Sequence, residues 1–256
     1  MTIVEKKEDL ENIKEAGRKL AVVMEKVKEA AKPGADSSEL DALAEKLIRC
    51  SGAKPAFLGY RPKGARRPYP ATLCVSVNDE IVHGIPNEKP KILKEGDIVG
   101  FDLGLSFRGW FADMAETVPV GRIDKEAGKL LKAAKGALSA GIKAAKAGGR
   151  IGDIGEAIES YARPLGYGIV EELGGHGVGR SIHDDPFVPN FGKAGKGEKL
   201  ISGMVLAIEP MLCEGEKDIY LSPDGYTFKT QDGKRAAQFE HTVIVTKKGG
   251  EIITKA

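Results

Sequence analysis

Residues 20–47 read LAVVMEKVKEAAKPGADSSELDALAEKL, and 114 positions on, residues 134–161 read AKGALSAGIKAAKAGGRIGDIGEAIESY. The first stretch belongs to a longer pattern, in which Leu10, Ile13, Gly17, Leu20, Met24, Val27 and Ala31 recur at intervals of three and four. That spacing is one face of a long helix. Pro33-Gly34 stops it. Asp36 or Ser37 then offers an N-cap, Leu40, Leu43 and Leu47 form the stripe of a shorter helix, and Gly52 ends it. In the second stretch Leu131, Ala134, Leu138 and Ala145 fall where Gly17, Leu20, Met24 and Ala31 fell. Ala145-Lys146-Ala147-Gly148 repeats Ala31-Lys32-Pro33-Gly34, and Ile154, Ala157 and Tyr161 fall on Leu40, Leu43 and Leu47. Each half reads long helix, glycine turn, short helix, then strands. The expectation is one domain, 1–256, with two pseudo-symmetric halves, about 1–121 and 122–256.

After each helix pair the period drops to two. Ala71–Val77, Ile98–Leu105, Trp110–Val120, Gly203–Glu209 and Gln238–Val245 are rich in Val, Ile, Phe and Leu and bounded by Gly, Pro or Asp. Helices then strands, twice over, predict an α+β fold with helices packed on one face of a largely antiparallel sheet.

Composition narrows the function. Thirty-nine basic and thirty-seven acidic residues leave +2, too near neutral to require nucleic acid or an acidic membrane as partner. No apolar run approaches a membrane span, and the charged N-terminus is not a signal peptide. Three cysteines, Cys50, Cys74 and Cys213, lie far apart with no C-x-x-C, which suits a reducing cytosol and argues against a thiolate zinc site. A cytoplasmic location is expected.

Chemistry concentrates in few places. Three of the four histidines, His83, His176 and His183, are read in glycine- or proline-flanked loops. Gly174-Gly175-His176-Gly177 frees the backbone for positive φ and for close approach of another group, which suits an imidazole presented to a ligand. Asp102 and Asp113 sit in apolar strand centres. With Ser106-Phe107-Arg108-Gly109 as a four-residue hairpin loop, Leu105 pairs with Trp110 and Asp102 stands directly opposite Asp113. Two carboxylates so placed repel, so the pair either stays in water or holds a cation. Glu209 closes an apolar run before Pro210, and Glu240 follows Gln238-Phe239. A glutamate there needs a partner, and neither segment supplies a basic one. Asp102, Asp113, His176, Glu209 and Glu240 together make a hard, oxygen-rich set that two divalent cations would neutralise. Such ligands suit manganese, iron, cobalt or zinc in an open site. Two ions sharing carboxylates would hold and ionise a water for hydrolysis.

These residues carry a resemblance. Val82-His83-Gly84-Ile85-Pro86, Asp102 with Asp113, Gly174–Arg180, His183, Ile208-Glu209-Pro210-Met211 and Gln238-Phe239-Glu240-His241-Thr242 resemble the type I methionine aminopeptidases, over nearly the whole chain. The stretch between His183 and Glu209 leaves no room for the helical insertion of type II. The resemblance implies the pita-bread fold and removal of the initiator methionine from nascent chains when the second residue is small. It implies that Asp113 and Glu240 bridge two metals, that Asp102 completes one site and that His176 with Glu209 complete the other. Glu209 becomes the general acid/base. His183 contacts the scissile peptide, and His83 stabilises the tetrahedral intermediate or the leaving amine.

By the same resemblance Tyr60, Tyr69, Cys74 and Tyr226 line a methionine side-chain pocket, with Tyr226 where relatives often have tryptophan. Asn78 matches a position near a monovalent cation in some relatives, although the serine usually found with it is Ala236 here. The loop after Tyr60, Arg61-Pro62-Lys63-Gly64-Ala65-Arg66-Arg67-Pro68, is several residues longer than the common bacterial pattern and carries four positive charges. It reads as a solvated loop or as a ribosome contact through residues 61–67. A monomer is expected, with no DNA or membrane partner. The rivals are an aminopeptidase P or prolidase-like Xaa-Pro hydrolase, which normally has an extra N-terminal domain, and a non-catalytic pita-bread binding protein, which would have lost metal ligands.

Overall fold

The computed structural model describes residues 1–255. The chain runs α1 (Lys7–Ala30), α2 (Ser37–Cys50), β1 (Lys54–Pro55), β2 (Leu73–Val77), β3 (Glu80–Val82), β4 (Ile98–Phe107) and β5 (Trp110–Pro119). Then come α3 (Lys125–Ala144), α4 (Ile151–Ala162), a short 3-10 turn (Arg163–Leu165), β6 (Gly168–Ile169), β7 (Gly174–Gly177), β8 (Asp184–Pro189), β9 (Val205–Ile208) and β10 (Met211–Cys213). The last strands are β11 (Ile219–Leu221), β12 (Phe228–Thr230), β13 (Ala236–Gln238), β14 (His241–Thr246) and β15 (Gly249–Ile252).

Both long helices stop for the same reason. Gly34 and Gly148 turn the chain at φ of 92° and 94°, a backbone region that suits glycine. Gly34 N–H then donates to Leu93 O at 2.8 Å, and Gly148 N–H to Leu200 O at 2.9 Å. The next helices start at Ser37 and Ile151, again 114 residues apart. The Asp36 carboxylate caps α2 by accepting Ser38 N–H at 2.7 Å.

The short helices are rotated from the expected stripe. Leu40, Ala44 and Ile48 are buried on α2, while Leu43 and Leu47 are half-buried. On α4 the buried line is Ile151, Ile154, Gly155 and Ile158, and Tyr161 is 40% exposed. Small residues sit where backbones come closest. A Cβ on Gly155 would lie 2.2 Å from Phe191 O. Large apolar residues therefore flank the contact line rather than mark it.

Every strand pair is antiparallel, with helices α1 against β4 and β5 and α3 against β9, β10, β13 and β15. The larger sheets are β4 with β1, β2 and β5, and the five-stranded order β15-β14-β9-β7-β8. Ile13, Leu20, Met24 and Val27 of α1 pack with Leu73, Phe101 and Leu103. Leu130, Ala134 and Ile142 of α3 pack with Leu206, Ile208 and Val243. Each large buried side chain contributes about 1.5–3 kcal/mol. The two sheets knit at β5 and β14. Thr242 Oγ1 accepts Asp113 N–H at 2.9 Å and donates to Asp113 O at 2.7 Å. Thr117 Oγ1 makes the matching pair with Gln238, accepting its N–H at 3.0 Å and donating to its carbonyl at 2.8 Å.

Two expectations about the strands are corrected. The hairpin between β4 and β5 turns in two residues, Arg108 and Gly109, at φ of 50° and 76°. Two consecutive positive φ values make a tight turn that matches strand twist, so the ladder continues through Phe107↔Trp110. Asp113 consequently faces Gly104, and Asp102 faces Ala115. The shift is two residues, so both aspartates stay on one face as diagonal neighbours, still within reach. The run Gln238–Val245 is broken at Phe239-Glu240, where Glu240 N–H donates across to Ala115 O at 2.8 Å. β13 therefore pairs with β10, and β14 with β9.

Candidate active site

His176 sits in strand β7, not in a loop. The glycines around it serve close approach alone, because none of Gly174, Gly175 and Gly177 adopts positive φ. A Cβ on Gly175 would lie 2.2 Å from Ala207 O, and one on Gly177 would lie 2.1 Å from Asp185 O. Only glycine lets β8 and β9 approach β7 this tightly, and that holds the imidazole over the ends of β9 and β14. His176 Nδ1 lies 2.8 Å from Gly177 O, an atom that can only accept. The proton is thereby fixed on Nδ1, and Nε2 presents its lone pair to the carboxylates.

Those carboxylates converge from four strands. Asp102 comes from β4 and Asp113 from β5, while Glu209 follows β9 and Glu240 precedes β14. His176 Nε2 is 3.7 Å from both Asp113 Oδ2 and Glu209 Oε1. Three overlapping triples have ligand atoms within 4.8 Å of one another: Asp102-Asp113-Glu240, His176-Glu209-Glu240 and Asp113-His176-His183. Neither glutamate has a lysine or arginine partner among the described residues. Glu209 Oε2 accepts instead from Gln238 Nε2 at 3.0 Å.

Burial first, then mutual repulsion, disfavours the charged forms. Asp102 is pushed up to about 7 by desolvation. Desolvation raises Asp113 well above its usual range, with Asp102 and Glu209 adding to it. Glu209 and Glu240 are raised the same way. Asp102 Oδ1 and Glu240 Oε1 are buried with no hydrogen-bond partner among the described residues. Groups packed so closely, with orphaned oxygens aimed inward, are matched to divalent cations. Burial lowers His176 to about 3 and His83 to about 4, which leaves both imidazoles neutral.

All eleven residues singled out in the sequence line one cavity of about 500 Å³. Tyr69, Cys74 and Tyr226 form an apolar wall with Phe57 and Ile182. Tyr69 and Tyr226 meet edge to face at 5.1 Å. Desolvation raises the Cys74 thiol well above its ordinary value, and among the described residues the thiol belongs to none of the clusters that could hold an ion but to the apolar wall. His83 follows β3 at φ of 59°, which costs a non-glycine residue roughly 1–2 kcal/mol. Gly84 permits the turn, since a Cβ there would lie 2.2 Å from Val75 O. The His183 ring lies 4.4 Å from that of His176 and 5.0 Å from that of Tyr60.

Sequence reasoning missed the Gln238 contact to Glu209, the Thr242 bond to Asp113, and Phe57, Leu221 and Phe228 in the wall. Gln238 stood two residues from Glu240 in the quoted motif, which was the available signal. The loop after Tyr60 is not only a surface feature, because Pro62, Lys63, Gly64 and Ala65 line the cavity. Asn78 lies outside it and uses its amide to donate to Asp97 Oδ1 at 2.9 Å and to accept Ile98 N–H at 3.1 Å.

A fold of antiparallel strands backed by paired helices, with four buried carboxylates and an imidazole converging on one cavity, is the setting of a metal-dependent hydrolase. Residues 11–247 match metallopeptidase family M24, and the chain belongs to that family. Within it, the chain is 47% identical over 251 residues to a methionine aminopeptidase of Aquifex aeolicus, covering 96% of each. The structure superposes on a methionine aminopeptidase of Thermotoga maritima with a TM-score of 0.93 and 39% identity, covering 100% of both chains. A prolidase of Pyrococcus furiosus gives 0.74 at 22% identity, with 99% of this chain on 66% of that one. The fold is the pita-bread fold these proteins share.

Proposed function

We propose that this chain removes the N-terminal methionine from nascent polypeptides whose second residue is small, as a metal-dependent aminopeptidase of one catalytic domain with halves about 1–121 and 122–256. The observation that carries the reading is one cavity holding an acid-rich, imidazole-completed cluster at its floor beside an apolar, largely aromatic wall. Asp102, Asp113, His176, Glu209 and Glu240 would hold two divalent ions of manganese, iron, cobalt or zinc. When bound, such ions supply Lewis-acid polarisation and a water ionisable near neutral pH. Glu209, aimed by Gln238, takes up the proton of the attacking water and returns it to the leaving amine. His83 and His183 donate hydrogen bonds where charge develops on the carbonyl oxygen and the leaving nitrogen. Tyr60, Tyr69, Cys74 and Tyr226 hold the methionine side chain, whose flexible thioether suits aromatic faces and a soft sulfur.

The same reading extends to its setting. No described helix is long and apolar enough to cross a membrane. We place the protein in the cytoplasm as a monomer, with the outward cations of loop 61–67 toward ribosomal RNA. A monovalent cation is placed near Asn78, whose carbonyl and side-chain oxygens each take one N–H and so keep a lone pair.

Peptide cleavage read by mass spectrometry tests the activity. Met-Ala-Ser and Met-Ser peptides should release methionine, and Met-Leu or Met-Lys peptides should release little. Norleucine should pass moderately, since one methylene in such a pocket is worth about 1–3 kcal/mol. Equal turnover of Met-Ala-Ser and Met-Lys-Ser would refute the small-neighbour rule, and cleavage of Xaa-Pro bonds alone would move the chain to the rival activity.

His83→Ala and His183→Ala should keep their metal content while kcat falls by roughly 10²–10³. His183 lies within ligand distance of Asp113 and His176, so elemental analysis of its variant is the sharper test. Loss of metal from His183→Ala would make it a ligand instead of a substrate contact.

A further inference from the structure

The loop 61–68 is built onto the cavity. Its neck is closed by Tyr69 N–H donating to Tyr60 O at 2.8 Å and Gly59 N–H donating to Tyr69 O at 2.9 Å. Arg67 clamps it further. The guanidinium grips both oxygens of Glu88 and donates to Asp224 O at 3.2 Å, while Tyr226 OH donates to Arg67 O at 2.5 Å. Arg67 is thereby neutralised by Glu88. Arg61, Lys63 and Arg66 have no carboxylate partner among the described residues.

Among the lining residues, burial separates floor from mouth. Asp102, Asp113, Glu240, Tyr69 and Cys74 are buried, whereas Lys63, Gly64, Leu221 and Gly225 are exposed. A peptide whose first residue occupies the floor leaves past the exposed set. Lys63 is the one lysine or arginine lining the cavity among the described residues. An extended peptide advances about 3.3–3.6 Å per residue. Its third to fifth residues thus lie roughly 7–14 Å from the first, out of the buried floor and toward the exposed rim.

We infer that Lys63 is a specificity-determining residue that reads the charge of the peptide beyond its second position, favouring N-termini with acidic residues at positions three to five. The inference rests on the aminopeptidase reading and adds a substrate class to it. The small-second-residue rule is untouched, because Lys63 lies at the rim. The attraction is between solvent-exposed charges. It is therefore modest and screened within about 10 Å at 0.1 M salt.

The test compares Met-Ala-Ser-Asp-Asp with Met-Ala-Ser-Lys-Lys peptides on the metal-loaded protein. At low salt the acidic peptide should have about fivefold higher kcat/KM, and 0.5 M salt, roughly a 4 Å screening length, should remove most of that ratio. Lys63→Glu should reverse the preference, and Lys63→Ser should flatten it. Anisotropy of the labelled peptides gives a second ratio that needs no cleavage, so it decides the inference even if neither peptide is hydrolysed. Absence of cleavage with an intact binding ratio overturns the aminopeptidase reading alone. An unchanged ratio in both Lys63 variants overturns the inference. So does a Lys63 variant that weakens ribosomal RNA binding while leaving the peptide ratio intact, which would assign Lys63 to RNA with the outward cations of the loop.

Discussion

Asp113→Asn and Glu240→Gln are expected to strip the protein of both metal ions and to lower kcat/KM by roughly 10³ or more, whereas Asp102→Asn should lose one ion. The ordering follows from how the ligand triples overlap. Asp113, Glu240 and His176 each belong to two of the three, and Asp102 and Glu209 to one; of the residues in two, only Asp113 and Glu240 are carboxylates with two oxygens to share between ions. Metal ions supply several kcal/mol of transition-state stabilisation, and about 1.4 kcal/mol is one decade of rate. A chelator should reproduce the double loss, with manganese, cobalt or iron restoring activity. Elemental analysis against activity checks both claims. Full activity in metal-free protein would sink the metal reading, and one retained ion in Asp113→Asn would sink its place as a shared ligand.

How far such a site was readable in the sequence depended on what each residue must satisfy. Helix pairs were legible because their apolar spacing is local and glycine stops them, as Gly34 and Gly148 do at matching φ. The rotation of α2 and α4 was not, because contact lines are made by small residues such as Ala44 and Gly155 whose role is visible only across the interface. Asp102 and Asp113 were legible as a facing pair because a strand alternates faces, and a register error of two residues preserves the face. The turn itself was misjudged because Arg108 at φ of 50° bears no asparagine or glycine signal. His176 looked like a loop residue because glycine depletes strand propensity. Its flanking glycines are there for backbone atoms of β8 and β9 that lie far off in sequence. Lys63 was placed in a solvated loop, since the contacts that bring that loop to the cavity, Arg67 on Glu88 and on Asp224 and Tyr226 on Arg67, come from residues far off in sequence.

Removing the metals should make stability fall as pH rises between about 6.5 and 8.5. An ordinary carboxyl titrates near 4 in the unfolded chain. In the folded metal-free protein Asp102 is pushed up to about 7, and Asp113, Glu209 and Glu240 are raised by burial and by one another. Groups raised in this way retain protons in the folded state that the unfolded state has released. Their stabilisation is complete below the unfolded value and is lost as pH climbs through the folded ones. The histidines act oppositely, since burial lowers His83, His176, His183 and His241 to about 3–4. Below about 6.5 they make stability rise with pH and mask the carboxylates, but above it both states hold them neutral. Each proton retained there gives a slope of about 1.4 kcal/mol per pH unit for as long as the folded state keeps it, roughly 3–6 °C in Tm per unit for a chain of this size. Bound cations replace the protons, so the loaded protein should show almost none of this slope and a higher Tm throughout. Calorimetry of chelated and loaded protein at pH 6.5, 7.5 and 8.5 measures both. Glu240→Gln, which removes one of the repelling charges, should make the chelated protein less sensitive to pH. A chelated protein whose Tm stays level across this range would mean that burial and mutual repulsion do not raise the four carboxylates as their packing requires.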